Sequence, residues 1–218
     1  MRLNWIVKPP KIRHVMELLT TNSPTILDIG CGNSSPTVTK RWIQKCEYHG
    51  VDIQHYVMSK SDYSAMNRFF LVTKELDSYE IIPNDYYDAV ILNHVIEHTA
   101  RPVDLLRVAV SKLKRGGVIY IGFPSERSLS LPSAQGTLNF SDDDTHIWFP
   151  DFNLIVNTLL SLNVRVLQGG RSKDIVRSLL GLLILPVAYT RKLFAGQLNA
   201  RGLWYILGFE AFVVGLKK

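Results

Sequence analysis

Residues 26–35 read I-L-D-I-G-C-G-N-S-S, a short apolar run that ends in an aspartate and two glycines. We interpret the run as a buried strand and a tight glycine turn, followed by a helix that begins at Pro36 with Ser35 as its N-cap. Twenty residues beyond Gly32, a second apolar run ends in Gly-Val-Asp. Asp52 then stands where a carboxylate can accept both hydroxyls of a ribose. The two patterns together predict a nucleoside-binding strand–helix–strand unit.

The charge next to the glycines indicates which kind of nucleoside is bound. Asp28 stands two residues before Gly30, and its negative charge would repel a pyrophosphate but attract a cationic group. Ser35 also replaces the last glycine of the G-x-G-x-x-G pattern of dinucleotide sites. A sulfonium nucleoside therefore fits better than a dinucleotide. A nicotinamide-dependent oxidoreductase, which would share the unit and Asp52, is the alternative.

Strands and helices alternate along most of the chain. Short apolar runs without polar alternation are typical of parallel strands that are covered on both faces, as in an α/β domain. The predicted strands are 25–29, 47–51, 69–72, 89–92, 118–123, 164–168 and 210–216. The predicted helices are 12–19, 36–45, 102–114 and 151–162, with a vaguer one before residue 69.

Composition indicates one globular domain over residues 1–218. The chain is 46% hydrophobic and 20% charged, which excludes a disordered or fibrous protein. Two cysteines cannot form a disulfide framework, and no secretory signal is readable at the start, so we expect a cytosolic protein.

The formal net charge of +6 lies entirely in the last part of the chain, because residues 171–218 carry eight basic and two acidic side chains. The basic residues alternate with aliphatic ones and not with stacking aromatics, which argues against a nucleic-acid partner. The apolar run 179–189 is too short to span a bilayer. We expect residues 171–205 to form an apolar, basic insertion before the last strand. It would lie on the inner face of a membrane, where it would suit a lipid-linked substrate, or pack on the domain.

Three blocks resemble the class I S-adenosylmethionine-dependent methyltransferases. They are D-I-G-C-G-N-S (28–34), Y-Y-D-A-V-I-L-N-H-V-I-E-H (86–98) and L-K-R-G-G-V-I-Y-I-G-F-P (113–124). The resemblance implies a Rossmann-like three-layer α/β sandwich with a seven-stranded, mostly parallel sheet whose last strand is antiparallel. It also implies S-adenosylmethionine as the cofactor.

The resemblance assigns cofactor-binding roles to residues at the ends of the first, second and fourth strands. It places Asp28, Gly30 and Gly32 around the methionine part, Asp52 on the ribose and Asn93 near the sulfonium. Ile53, next to Asp52, is also expected to bind the cofactor. Two positions depart from the family pattern. Ser34 replaces the third glycine of the first motif, and Glu75 follows strand three where relatives carry an adenine-binding aspartate.

A second cluster of polar residues follows the fourth strand. His94, Glu97 and His98 are spaced i, i+3 and i+4, so they share one face if the chain turns helical there. His146 comes from the polar stretch 124–148, which is long enough to be a substrate loop or lid. Our candidate catalytic residues are therefore His94, His98 and His146.

Three interpretations of this cluster remain open. A histidine is the general base that takes the proton of an acceptor hydroxyl, the cluster binds a divalent metal, or Glu97 and His98 only brace the fold. The metal interpretation rests on a resemblance to the acidic-x-x-E-H plus distant His site of small-RNA 2′-O-methyltransferases and quinone-pathway O-methyltransferases. His94 replaces the carboxylate of that site, which favours a softer ion than Mg²⁺.

The expected activity is O-methylation of a small molecule or sugar, including a lipid-linked one. The E-H pair and T-H-I-W-F-P (145–150) resemble patterns of small-molecule and polysaccharide-pathway methyltransferases. A non-catalytic nucleoside-binding membrane adaptor is a further alternative, and it would tolerate His94→Ala and His146→Ala.

Overall fold

Seven strands form one sheet in a computed structural model that describes residue 4 and residues 6–55, 58–195 and 203–218. The strands are β1 (Thr25–Ile29), β2 (Glu47–Asp52), β3 (Arg68–Leu71), β4 (Tyr87–Asn93), β5 (Leu113–Pro124), β6 (Val164–Arg171) and β7 (Glu210–Lys217). Their order across the sheet is β3-β2-β1-β4-β5-β7-β6.

Helices connect the strands and cover the sheet. They are α1 (Pro10–Leu18), α2 (Ser35–Trp42), α3 (Lys60–Ala65), α4 (Pro102–Lys112), α5 (Phe152–Ser161), α6 (Ile175–Ala195) and α7 (Trp204–Leu207). Short 3₁₀ helices lie at Leu76–Ile81, Ile96–His98, Glu126–Leu129 and Phe140–Asp142. Pro102 begins α4, where its missing N–H leaves no hydrogen bond unmade.

The strand directions confirm the predicted α/β fold. β1 to β5 run parallel, whereas β7 lies antiparallel between β5 and β6. Ile29 pairs with Leu92, so β1 and β4 end side by side. Because β7 is antiparallel, its first residue, Glu210, pairs with Pro124 at the end of β5. All three ends therefore lie at the same edge of the sheet.

A buried apolar layer covers each face of the sheet. Leu105 and Leu106 of α4, with Ile155 and Leu159 of α5, pack against one face. Ile12 of α1 packs against the other. The sheet is thus buried on both sides, as the non-alternating apolar runs predicted.

Local structure differs from the expectations at both polar clusters. Ser34, with φ of 67°, occupies the N-cap position of α2, and Ser35 is the first helical residue; the expected N-cap at Ser35 was wrong. The helix expected to extend to Lys45 ends at Trp42, and the chain after β4 forms only the single turn Ile96–His98.

The segment 171–205, which was expected to form an insertion before the last strand, contains α6 and the start of α7. Residues 196–202 of that segment lie outside the described residues. Among the helices that the structure describes, none combines the length and the apolar composition that a membrane crossing requires.

Candidate active site

A cleft of about 460 Å³ lies at the edge where β1 and β4 end. It is enclosed by the start of α1, the loop after β1, the end of β4 and the segment from α7 to β7. Its lining includes Lys11, Gly30, Asn93, Trp204 and Glu210. In an α/β sheet, this edge is the usual place for a ligand.

The glycine loop after β1 is held in a conformation that favours glycine. Gly30 and Gly32 adopt φ values of 69° and 51°. The Gly30 amide donates to the Val51 carbonyl at 2.8 Å, which fixes the loop to the neighbouring strand. A Cβ atom built on Gly30 would lie 2.3 Å from Cγ2 of Val95. The loop therefore approaches the segment after β4 as closely as a glycine allows.

Asp28 lies behind this loop and is 1% exposed. Tyr48 donates its hydroxyl to Asp28 Oδ2 at 2.7 Å, and the Ser35 hydroxyl donates to the same oxygen. Lys11 Nζ lies 3.6 Å from that oxygen. Burial, and next the Asp28 charge, raise the pKa of Tyr48, so this phenol remains a donor. The Asp28 carboxylate thus accepts hydrogen bonds from protein side chains. Its negative charge lies buried next to the glycine loop.

Asp52 ends β2 next to the glycine loop, and it is 6% exposed. One carboxylate oxygen accepts from the Gly32 amide at 2.9 Å, and the other accepts from the Ile53 amide at 2.8 Å. Burial raises the pKa of Asp52, although both amide bonds oppose that effect. The carboxylate is therefore held rigidly beside the loop, with lone pairs left for further donors.

Asn93, the last residue of β4, reaches the cleft because its neighbour on β5 is a glycine. A Cβ atom on Gly122 would lie 2.6 Å from Oδ1 of Asn93. Glu75, the expected adenine ligand, is an exposed residue before the segment Leu76–Ile81 and is not among the cleft-lining residues that the structure describes. Of the predicted cofactor-binding residues, Gly30 and Asn93 line the cleft, whereas the others are not part of its lining: Asp28, Gly32, Asp52 and Ile53.

His94 connects the cleft to the residues behind it. Its Nδ1 lies 3.1 Å from Glu97 Oε1, and its Nε2 lies 3.0 Å from Glu210 Oε2. Burial lowers the pKa of His94, but the hydrogen bonds to Glu210 and Glu97 outweigh burial and raise it to about 10. Since both ring nitrogens face carboxylates, the imidazole keeps its protons near neutral pH. This geometry argues against His94 as a general base.

Glu97, His98 and His146 form a second group, which we call the triad. One ligand atom from each lies within 4.8 Å of the other two. Glu97 is fully buried, and its Oε2 has no hydrogen-bond partner among the described residues. The single turn after β4, combined with the φ of 56° at His94, directs His94 away from His98 and not onto one helical face with it.

Each triad histidine is oriented by a hydrogen bond at its inner nitrogen. His98 Nδ1 lies 3.1 Å from the Thr145 carbonyl, and His146 Nδ1 lies 2.6 Å from the Phe140 carbonyl. A carbonyl oxygen accepts only from a protonated nitrogen, so each Nε2 carries a lone pair when the ring is neutral. His146 Nε2 also lies 3.9 Å from Oδ2 of Asp143. This tautomer suits a proton acceptor and also a metal ligand.

The polar stretch before residue 148 positions His146. Asp142 accepts from the amides of Ala134, Leu138 and Asn139 at 2.8–3.0 Å, which folds the stretch onto itself. The amide of Trp148 then donates to the Glu97 carbonyl at 3.2 Å. The stretch expected to be a substrate loop is therefore attached to the residue that supplies the triad carboxylate.

The triad fits a divalent ion in its donor chemistry. It offers two imidazole nitrogens and one carboxylate oxygen, a set that borderline ions such as Zn²⁺, Mn²⁺ or Fe²⁺ accept. The unpartnered, buried Oε2 of Glu97 is the observation that supports this fit, because a buried carboxylate oxygen without a donor is costly.

Sequence reasoning missed several cleft residues. Glu210 lines the cleft and binds His94, and Trp204 packs against the His94 ring at a centroid distance of 5.1 Å. Lys11 and Tyr48 support Asp28. No local motif marks these positions, because long-range strand order and helix packing bring them to the cleft.

The sheet order and the glycine loop define the class of S-adenosylmethionine-dependent methyltransferase folds. A family model described as a methyltransferase domain matches residues 8–157, and the chain therefore belongs to the methyltransferase domain family. Family membership removes the nicotinamide-dependent alternative.

Two curated proteins are similar to this chain in sequence, at low identity. An uncharacterized protein of Methanocaldococcus jannaschii is 31% identical over 44% of this chain and 27% of its own length. The ubiquinone biosynthesis O-methyltransferase of Marinobacter nauticus is 21% identical over 65% of this chain and 63% of its own length. This chain thus matches less than two thirds of either relative.

A solved structure agrees in fold over most of both chains. The crystal structure of a SAM-dependent methyltransferase from Archaeoglobus fulgidus superposes with a TM-score of 0.59 at 17% identity. The match covers 95% of this chain and 91% of that protein. At this identity the likeness establishes the shared fold.

Proposed function

We propose that this chain transfers the methyl group of S-adenosylmethionine to a hydroxyl of a small molecule or sugar, including one carried on a lipid. The observation that supports this proposal is the triad, which offers two imidazoles and a carboxylate oxygen without a hydrogen-bond partner among the described residues. The triad is connected to the cleft through His94, which lies between Glu97 and the cleft-lining Glu210. A hydroxyl needs its proton removed before it attacks a methyl group well, and these groups offer the means.

Cofactor binding follows the assignments that the resemblance implied. The glycine loop, with Gly30 and Gly32, would receive the methionine part, and Asn93 would lie near the sulfonium. Asp52 and Ile53 would receive the ribose. The negative charge of Asp28, which is buried next to the glycine loop, favours a cationic cofactor.

The chemistry is a direct, in-line transfer. The acceptor oxygen forms a bond to the methyl carbon while the carbon–sulfur bond breaks, and S-adenosylhomocysteine leaves as a neutral thioether. The hydroxyl proton moves to Nε2 of His98 or His146. His94 stays protonated and holds Glu97 in place, so no covalent enzyme intermediate is required.

A divalent ion held by the triad would lower the pKa of the acceptor hydroxyl. Metal analysis of the purified protein, with and without chelator treatment, tests this part of the proposal. Loss of activity on chelation and recovery with one ion would support it. Full activity in a metal-free preparation would leave the imidazoles as the proton acceptors.

A panel of acceptors tests the atom that is methylated. We would measure S-adenosylhomocysteine release with phenols, free sugars and lipid-linked sugars, each paired with the same compound carrying an amine in place of the hydroxyl. Turnover of the hydroxyl compounds alone supports O-methylation. Preferred turnover of the amines would contradict it.

Replacing Asp52 by Asn is expected to weaken S-adenosylhomocysteine binding by about ten- to a hundredfold. Each lost hydrogen bond to a charged group costs about 1.5–3 kcal/mol, which corresponds to that range of affinity. Titration calorimetry measures the change. Asp77→Asn, which alters an exposed carboxylate of the segment Leu76–Ile81, is the matched control. Equal affinities for both variants would remove Asp52 from the ribose site.

A further inference from the structure

Helix α6 presents two different faces. Asp174, Arg177 and Gly181 are buried against the domain. The opposite face consists of aliphatic side chains at helical spacing, each about half exposed or more. They are Ile175 (78%), Val176 (51%), Leu179 (58%), Leu182 (49%) and Leu183 (74%). An exposed aliphatic stripe of this kind marks an interaction surface.

The charges around this stripe are almost all positive. Residues 178–190 contain no charged side chain, whereas Arg171 and Lys173 precede α6 and Arg191 and Lys192 lie near its end. The only acidic residue between 171 and 209 is Asp174. Asp174 is 3% exposed and faces inward, 3.4 Å from Arg177 Nε. The stripe is therefore flanked in the sequence by basic residues, and the segment itself adds no exposed carboxylate to it.

We propose that the outward face of α6 lies in the interface of a lipid bilayer that contains anionic headgroups. In such a bilayer, the acyl chains would contact the apolar stripe, and the lipid phosphates would attract the basic residues that precede α6 and lie near its end. The helix lies along the surface, because no described helix is long and apolar enough to cross a membrane.

A second copy of this chain is a poorer occupant of the same face. Whether two α6 helices pair parallel or antiparallel, basic ends meet basic ends, since both ends carry the same sign of charge. Like charges placed together disfavour association. An anionic bilayer has no such conflict.

The position of α6 relates this surface to the cleft. Arg177, on the inward face, lines the cleft and lies over the Tyr205 ring at 5.4 Å. Tyr205 and Trp204 line the same cleft. One helix therefore faces the bilayer on one side and the cleft on the other. It follows that the methyl acceptor is an amphiphile taken from the membrane, and this consequence rests on the proposed function. The docking of α6 on the bilayer does not depend on the proposed function.

Vesicle flotation of the full chain tests the docking. We expect binding to vesicles of equal parts phosphatidylglycerol and phosphatidylcholine, weaker binding to phosphatidylcholine alone, and release as salt concentration rises. Leu183→Glu is expected to weaken binding by about tenfold or more, because it places a charge in the apolar stripe. Leu160→Glu, at a 54% exposed leucine of α5, is the matched control and should bind normally.

Each alternative to bilayer docking predicts a different experimental result. No binding to either vesicle, or an equal loss in Leu183→Glu and Leu160→Glu, would overturn the proposal. A dimer in light scattering that Leu183→Glu dissolves, without vesicle binding, would identify a second copy as the occupant. Affinity for S-adenosylhomocysteine is measured on every variant, so a folding defect or a failure of the methyltransferase assignment is recognised separately.

Discussion

Gly30→Ala is expected to abolish measurable S-adenosylhomocysteine binding and to lower the free energy of unfolding by about 3 kcal/mol. Two effects destabilise the folded state of this variant. A side chain at φ of 69° is strained, and its Cβ would lie 2.3 Å from Val95 Cγ2. Because the loop amide is fixed to Val51, the strain cannot be relieved without moving the loop. Chemical unfolding and titration calorimetry measure the two effects.

Two further variants separate these two sources of destabilisation. Gly116→Ala has a similar φ of 76° with no atom within 4 Å of the added Cβ, so it should cost only about 1–2 kcal/mol. Gly30→Ala combined with Val95→Ala should recover the part that comes from the close contact. If Gly30→Ala proved no more destabilising than Gly116→Ala, the close approach of the loop to the segment after β4 would be wrong.

The sheet could be predicted because its signal is local. Each parallel strand is a short apolar run between turn residues, and β4, whose inner residues are buried, shows the pattern clearly. The position of Asp52 also followed from local spacing, since a strand–helix–strand unit fixes the distance between the glycine loop and the end of β2. The antiparallel direction of the last strand came from the family resemblance and not from the residues alone, and the order of the strands was not predicted.

Glu210 could not be predicted from its surroundings in the sequence. It begins an apolar strand, where an acidic residue looks like a solvent-exposed end. Only the antiparallel direction of β7 brings it to the edge where the parallel strands end, and there it meets His94. The pairing spans 116 positions of the chain. Spacing arguments apply within one element and do not reach that far.

The expected convergence of three histidines was only partly right, for a backbone reason. The i, i+3, i+4 spacing places residues together on a helix, but a single 3₁₀ turn follows β4. His94 adopts a left-handed φ and turns toward Glu210, while His98 turns toward His146 at a ring-centroid distance of 4.9 Å. The sequence contained the right residues, and the local backbone decided which of them meet.

Glu97→Gln and His98→Asn are each expected to lower methyl transfer by about a hundredfold or more while affinity for S-adenosylhomocysteine stays unchanged. Removing a positioned proton acceptor, the role proposed for His98, typically costs a factor of 10² to 10⁴. Glu97 is a positioning residue whose charge faces that imidazole. Glu97→Gln keeps the shape of the side chain but removes the charge that His94 and the two imidazoles face. The rates are measured with the hydroxyl acceptor that the panel selects.

His49→Asn is the control for the triad histidine. His49 is buried in β2, where its Nδ1 lies 2.9 Å from the Tyr87 hydroxyl, and it belongs to neither the cleft lining nor the triad. We expect it to lower stability and to leave the rate of the folded protein unchanged. If His98 only stabilises the fold, His98→Asn would give the same pattern as His49→Asn, with lower stability and an unchanged rate of methyl transfer. If the protein is a non-catalytic adaptor, no variant would transfer a methyl group.

The pH profile distinguishes a proton acceptor from a positioning residue. If His98 or His146 accepts the hydroxyl proton, the variant lacking that imidazole loses the rising limb of kcat with pH, and a chelator changes nothing. If the triad instead holds a metal, His98→Asn and His146→Asn both lower metal content, and added metal restores part of the rate. Because each Nε2 carries a lone pair in the neutral ring and Glu97 Oε2 has no hydrogen-bond partner among the described residues, either result assigns the triad a chemical role. Full activity in all three variants would leave it a purely structural one.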